Sequence, residues 1–182
     1  KRLFQKIFQI LTRNIMINYN KQHIDNQDIV SVTKILKSDF ITQGPTIEKF
    51  ENALKKNFGA KYCSAVSNGT AALHLAVLAL GWNKKDIILT TPITFLATSN
   101  AILYCGATPE FVDIDQYHNI DVLKLENKIR RLKRKYKNKK ISGIIATDYA
   151  GHPCNWETIK KIAKKNNLKI INDNCHAYGA KI

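Results

Sequence analysis

The sequence predicts an α/β protein with a mostly parallel central sheet flanked by helices. Three observations carry that expectation. From Tyr62 onward, short β-rich runs alternate with segments of helical length and period, the pattern of strand–helix crossovers. One run, "ISGIIAT" (141–147), is apolar along its length, as a strand covered on both faces should be. The composition, 45% hydrophobic and 9% aromatic in 182 residues, is that of a chain with a core rather than of a disordered one.

The elements follow in order. "HIDNQDIVSVTKILKSDF" reads as a helix with Ile29, Val32, Ile35 and Leu36 inward. A Gly-Pro break follows. Pro45 suits the first turn of a second helix, whose stripe is Ile47, Phe50 and Leu54 and which ends before Gly59. "YCSAV" is a short β-rich run, and "TAALHLAVLALG" is a helix closed by Gly81. "DIILTT" is a strand, "FLATSNAILYCG" a helix stopped at Gly106, and "PEFVDI" a strand. Residues 121–138 form a basic helix, "ISGIIAT" a buried strand, "NWETIKKIAKKN" a helix and "LKIIND" the last strand.

Composition excludes several classes. Cys63, Cys105, Cys154 and Cys175 are scattered with no C-x-x-C pair, which argues for reduced thiols in a cytoplasmic protein and against a disulfide frame or a metal site. No apolar run is long enough to span a membrane. The basic amphipathic stretch 1–15 lacks a signal-peptide cleavage site and reads as an upstream extension, with Met16 the expected start. The net charge of +15 raises nucleic-acid binding, and nine of the thirteen residues 128–140 are Lys or Arg. Yet Leu125, Ile129, Leu132 and Tyr136 recur there at helical spacing, so the run reads as an amphipathic helix with a solvated basic face. Without zinc ligands, an RNP-type motif or a helix-turn-helix, a basic nucleic-acid module is the lesser alternative.

Ligands of such sheets bind beyond the carboxyl ends of the strands, and the residues delivered there are polar. "SNGTAAL" (67–73) places Gly69 and Thr70 at a helix start, where free N–H groups face an anion; a plain N-cap is the alternative. Neither a P-loop nor G-x-G-x-x-G is present, so a phosphate on something other than ATP or NAD fits better. Phe95 packs in the core or stacks on a flat heteroaromatic ring. Asp173 ends an apolar strand, where a carboxylate caps a turn or pairs with a protonated ring nitrogen and makes the ring a better electron sink. His176, three residues on, orients Asp173 or packs beside the ring. Cys175 reads as a small buried residue. Phosphate cradle, stacking aromatic and acid together describe a pocket for pyridoxal 5'-phosphate.

The motifs "TQGP", "SNGTAAL", "TTPITFLATSNAILYCGATPEFVDID", "DYAG" and "DNCHAYGA" occur in one order from about Asn18 to the end. In them the chain resembles the DegT/DnrJ/EryC1/StrS nucleotide-sugar aminotransferases, pyridoxal phosphate enzymes of fold type I. "ITQG", "NID" and "TDYAG" are most similar to the branch serving pseudaminic acid biosynthesis. The resemblance implies that Gly69 and Thr70 contact the cofactor phosphate, Phe95 stacks on its ring, Asp173 pairs with the ring nitrogen and His176 lies beside it. It places Thr42, Gln43 and Gly44 near the sugar-nucleotide site, with Tyr149, and Asp148 before it, at a strand end facing the cofactor. It further implies a UDP-linked keto-deoxysugar as substrate, glutamate as amino donor, a homodimer and no metal. The family's Schiff-base lysine lies in a Ser-Phe-His-x-x-Lys stretch that is not found up to Ile182, and Lys181 is in the wrong context. Residues 16–182 are therefore expected to be the amino-terminal part of the cofactor-binding large domain, inactive in isolation. Relatives with His in place of that lysine are sugar dehydratases, which leaves dehydration as the alternative reaction.

Overall fold

The structure is a computed structural model and describes residues 21–180. The expected extension 1–15, the Met16 start and Lys181 lie outside the described residues. The chain divides into two compact units, with the boundary between Ala65 and Val66.

In the first unit, helix α1 (Asn26–Leu36) opens with a capping box: the Asp25 carboxylate accepts from the Gln27 and Asp28 N–H groups, and Asp28 accepts from the Asp25 N–H. Helix α2 (Pro45–Phe58) starts with proline in its first turn and ends at Gly59. Both helices are where the sequence puts them, but their stripes are not inward. Ile29, Val32, Leu36, Ile47 and Phe50 are exposed and only Ile35 and Leu54 are half-buried, because among the described residues no apolar surface closes over the stripes. The β-rich run "YCSAV" is also not a strand. No ladder bonds form along it, and the Ala65 N–H donates instead to Glu51 Oε1 at 2.7 Å; β propensity alone does not make a strand without a paired neighbour.

The second unit is the expected α/β layer. Its elements are α3 (Gly69–Ala79), β1 (Asp86–Thr90), α4 (Leu96–Tyr104), β2 (Thr108–Phe111), α5 (Val122–Lys135), β3 (Lys140–Thr147), α6 (Trp156–Asn166) and β4 (Lys169–Asp173). The four strands are parallel in the order β2-β1-β3-β4. Alternate side chains sort onto two faces. Ile87, Leu89, Ile144 and Ala146 pack against Leu125, Ile129 and Leu132 of α5 and Ile159 and Ile162 of α6. Ile88 and Ile145 pack against Leu73 and Val77 of α3 and Ala101 and Ile102 of α4. The basic run is thus an amphipathic helix, with its apolar stripe in the core and most of its cations outward.

This order positions the site. The chain leaves β1 toward one edge of the sheet and later returns past it to β3, so β1 and β3 form the switch point where crossovers diverge and a crevice opens at the carboxyl ends. In the register of β3 and β4, Thr147 lies opposite Asp173. Both fall on the face covered by α3 and α4.

Candidate active site at the carboxyl edge of the sheet

A cavity of about 220 Å³ opens at this edge. Four segments line it. The start of α3 contributes Gly69 and Thr70, and the turn after β1 contributes Thr94 and Phe95. The end of β3 contributes Thr147 and Tyr149, and the turn after β4 contributes Asp173, Cys175 and His176. All five residues expected around a cofactor, and Tyr149, are therefore brought together. Thr42, Gln43 and Gly44 lie in the turn between α1 and α2, in the first unit, with Gln43 at φ 50°.

The helix start is built for close approach. Asn68 caps α3, its side chain accepting from the Ala71 N–H at 2.8 Å and its carbonyl from Ala72. Among the described residues the Gly69 and Thr70 N–H groups, in the first turn of the helix, have no acceptor. At Gly69 a Cβ would lie 2.9 Å from Cys175 Sγ, so the absence of a side chain is what lets the two loops meet. Phe95 is 72% exposed. Among the described residues it is not packed in the core, and it lines the cavity.

Asp173 is only 5% exposed. Its Oδ2 accepts from Thr98 Oγ1 at 2.7 Å, and its Oδ1 receives one long bond, 3.4 Å, from the Cys175 N–H. Among the described residues no cation pairs with it. A nearly buried carboxylate lining a cavity without a counter-charge is suited to a cationic N–H donor. Cys175, expected to be buried, is exposed at the cavity wall, because the turn that carries it runs over the surface beyond β4. Partial burial and the neighbouring Asp173 carboxylate push its thiol up to about 11. Among the described residues no lysine lines the cavity.

Asp148 is not part of the cavity lining. It is buried, and its Oδ1 accepts from the Cys154 N–H at 2.8 Å and the Trp156 indole N–H at 2.9 Å, anchoring the segment that leads into α6. Its position at a strand end suggested the cofactor, but the strand turns there and aims the side chain at its own downstream loop. Gly151, at φ 87°, passes so close to the His176 carbonyl oxygen that a Cβ would be 3.1 Å away, and the ends of β3 and β4 are joined by the Asp148 N–H donating to the Asp173 carbonyl at 3.0 Å. Asn119 braces the same turn, accepting from the Tyr149 N–H and donating to the His152 carbonyl, each at 3.0 Å.

Sequence reading placed Thr94 at this edge without a role and missed Thr98, Thr147 and Asn119. The three threonines form an unbroken line of hydroxyls: Thr147 to Thr94 at 2.9 Å, Thr94 to Thr98 at 3.0 Å, and Thr98 to Asp173. Thr98 follows Phe95 by one helical turn, a spacing that signals a residue on the site-facing side of α4. Among the described residues no group of His, Cys, Asp and Glu is clustered for a metal, and no helix is long and apolar enough to cross a membrane.

A family model described as the DegT/DnrJ/EryC1/StrS aminotransferase family matches residues 22–182. The chain belongs to that family. Among curated relatives, UDP-4-amino-4,6-dideoxy-N-acetyl-beta-L-altrosamine transaminase of Campylobacter jejuni is 41% identical over 165 residues, which are 91% of this chain and 42% of the relative. GDP-perosamine synthase of Escherichia coli O157:H7 is 40% identical over 152 residues, 82% of this chain and 40% of that protein. Among solved structures, the Helicobacter pylori aminotransferase PseC, involved in pseudaminic acid biosynthesis, superposes with a TM-score of 0.79 at 33% identity, covering 91% of this chain and 43% of its own. The E. coli GDP-4-keto-6-deoxy-D-mannose-3-dehydratase, solved with bound hydrated PLP, gives 0.78 at 28% identity, covering 92% and 43%. The fold is that of the fold-type-I PLP-dependent transferases, and this chain of the DegT/DnrJ/EryC1/StrS family spans less than half the length of those relatives.

Proposed function

We propose that the whole protein is a pyridoxal 5'-phosphate-dependent aminotransferase of nucleotide-sugar biosynthesis. It moves an amino group from glutamate to the keto carbon of a UDP-linked 4-keto-deoxysugar, on the route to pseudaminic acid. It works in the cytoplasm as a homodimer. The observation that carries the reading is Asp173, a nearly buried carboxylate with no cation partner among the described residues, lining a cavity beside free helix-start N–H groups and an exposed aromatic ring. The identity to the Campylobacter jejuni transaminase supports the choice of sugar.

The residues present fit the cofactor. Gly69 and Thr70 would hold the phosphate, Phe95 would cover one face of the pyridine ring, and Asp173 would accept from its protonated nitrogen. His176 would lie beside the ring and Tyr149 would face the nucleotide sugar; Thr42, Gln43 and Gly44, in the first unit, are proposed as nucleotide-sugar residues on the family resemblance alone. When bound, the cofactor supplies an electron sink for cleavage of bonds to the amino-bearing carbon. The protein's part is orientation and charge. Asp173 would accept from the ring nitrogen, and Gly69 and Thr70 would hold the phosphate end. Phe95 and Leu73 line the cavity and would supply its apolar contacts to the ring.

A second reading is favoured by one observation: a sugar dehydratase superposes about as well as the aminotransferase, at 0.78 against 0.79. The higher sequence identity to the aminotransferase places it second. Both are tested on the whole protein. Addition of pyridoxal phosphate is expected to give a bound-cofactor absorbance band, and glutamate is expected to shift that band. A band that glutamate shifts without amination of a UDP-linked keto sugar supports dehydration. A protein that develops no band overturns both.

A further inference from the structure

We propose that Thr98 is a positioning residue for Asp173, and that the Thr147, Thr94 and Thr98 hydroxyls form a one-way donor chain ending on its carboxylate. The inference rests on the cofactor reading above. Each hydroxyl carries one proton. An ionised carboxylate can only accept, so the 2.7 Å contact fixes the Thr98 proton on Asp173 Oδ2. Thr98 then has no proton left for Thr94, and the 3.0 Å contact between them must be donated by Thr94. The same step makes Thr147 the donor to Thr94 at 2.9 Å. Contacts that are ambiguous one at a time thus acquire a single direction once the terminal acceptor is known.

The chain joins four segments: the end of β3, the turn after β1, the first turn of α4 and the end of β4. Thr98 is wholly buried and Thr147 nearly so, with Thr94 between them half-buried at the cavity wall, so the bond to Asp173 is the least screened and each bond polarises the next. Two consequences follow for the carboxylate. Donation to Oδ2 aims the positive end of the Thr98 hydroxyl dipole at that oxygen. It also fixes the plane of the group, leaving Oδ1, with its single long bond, as the oxygen with acceptor capacity to spare. A ring nitrogen paired with a carboxylate so stabilised keeps its own proton to higher pH.

The test uses the whole protein with Thr98→Val, Thr98→Ser, Thr94→Val and Thr147→Val, each loaded with pyridoxal phosphate labelled with nitrogen-15 in the ring. Valine matches threonine in shape and removes only the hydroxyl. The nitrogen-15 shift reports ring protonation, and equilibrium dialysis reports affinity; neither depends on turnover. Thr98→Val is expected to weaken cofactor binding about ten- to a hundred-fold, as loss of a hydrogen bond to a charged group does, and to lower the pH at which the ring nitrogen loses its proton. Thr98→Ser restores both. Thr94→Val and Thr147→Val act in the same direction with diminishing size. Should Thr98→Val fold poorly, the order of the other two still decides. Wild-type affinity and nitrogen titration in all valine variants overturns the proposal, as does an equal effect at all three positions. A wild-type protein that binds no pyridoxal phosphate removes the function proposed above, whereas one that binds it normally and ignores these substitutions removes only the chain.

Discussion

At the scale of residues, the site is defined by what surrounds one carboxylate. Asp173 was legible because an acid ending an apolar strand must be explained by a partner. Thr98, Thr94 and Thr147 were not, because a hydroxyl in a sequence carries no mark of what it will meet; Thr98 and Asp173 are 75 residues apart in the chain. Asp148 and Cys175 show the limit from the other side. Both stand at strand ends, and which way each points depends on the turn that follows. Cys175 offers a direct probe of the cavity. Burial and the adjacent Asp173 carboxylate raise its thiol to about 11, so the thiolate is scarce near neutral pH. In the whole protein, iodoacetamide labelling of Cys175, read by mass spectrometry, is expected to be slow at pH 8. It should speed up about tenfold per pH unit until the pH nears 11, following the thiolate fraction. Saturation with pyridoxal phosphate should slow it at every pH, since Cys175 lines the same cavity. Labelling indifferent to the cofactor would place the ligand elsewhere.

Elements were the most legible scale in the second unit, because period, caps and stops agree there. The stripe Leu125, Ile129 and Leu132 is fully in the core, and Asp121 caps α5 by accepting from the Leu123 and Lys124 N–H groups. What the pattern does not show is how a helix so basic is tied down. Glu110 at the end of β2 does this: its carboxylate meets Lys128 at 2.6 Å and accepts from the Tyr136 hydroxyl at 2.9 Å, with Lys135 at 3.4 Å. Burial alone would raise the Glu110 pKa, but the Lys128 and Tyr136 hydrogen bonds and the two lysine charges outweigh it and hold it below the ordinary value. A carboxyl depressed in the folded state stabilises the fold above its unfolded pKa, and that contribution is lost as pH falls through the folded value. Glu110→Gln in the whole protein is therefore expected to cost about 1–2 kcal/mol in urea unfolding at pH 7. The difference from wild type should shrink as pH drops below the ordinary carboxylate range. A difference that persisted unchanged at low pH would show that packing, not charge, ties β2 to α5.

At the scale of the molecule, the two units differ in how much of their apolar surface is covered, and that governs how the 182-residue chain behaves in solution. The second unit has a core on each face of its sheet. In the first, Ile29, Val32 and Leu36 on α1 and Ile47 and Phe50 on α2 are exposed although their spacing is that of buried stripes. The pattern was legible in the sequence; what covers it was not, since the chain spans less than half of its relatives' length. Apolar stripes of this size attract one another and the sheet edges β2 and β4 offer unpaired backbone. Against that stands a net charge of +15, which makes copies of the chain repel. The balance depends on ionic strength. At about 10 mM salt the repulsion reaches roughly 30 Å, whereas at 1 M it is confined to about 3 Å and no longer keeps apolar faces apart. The chain by itself is therefore expected to bind the dye ANS at any salt concentration, to remain dispersed at low salt and to self-associate as salt rises, read by light scattering. Association that weakened with salt would mean that charge pairing, not apolar contact, holds the copies together. A dispersed chain without dye binding at 1 M salt would show that the stripes on α1 and α2 find cover within these 182 residues.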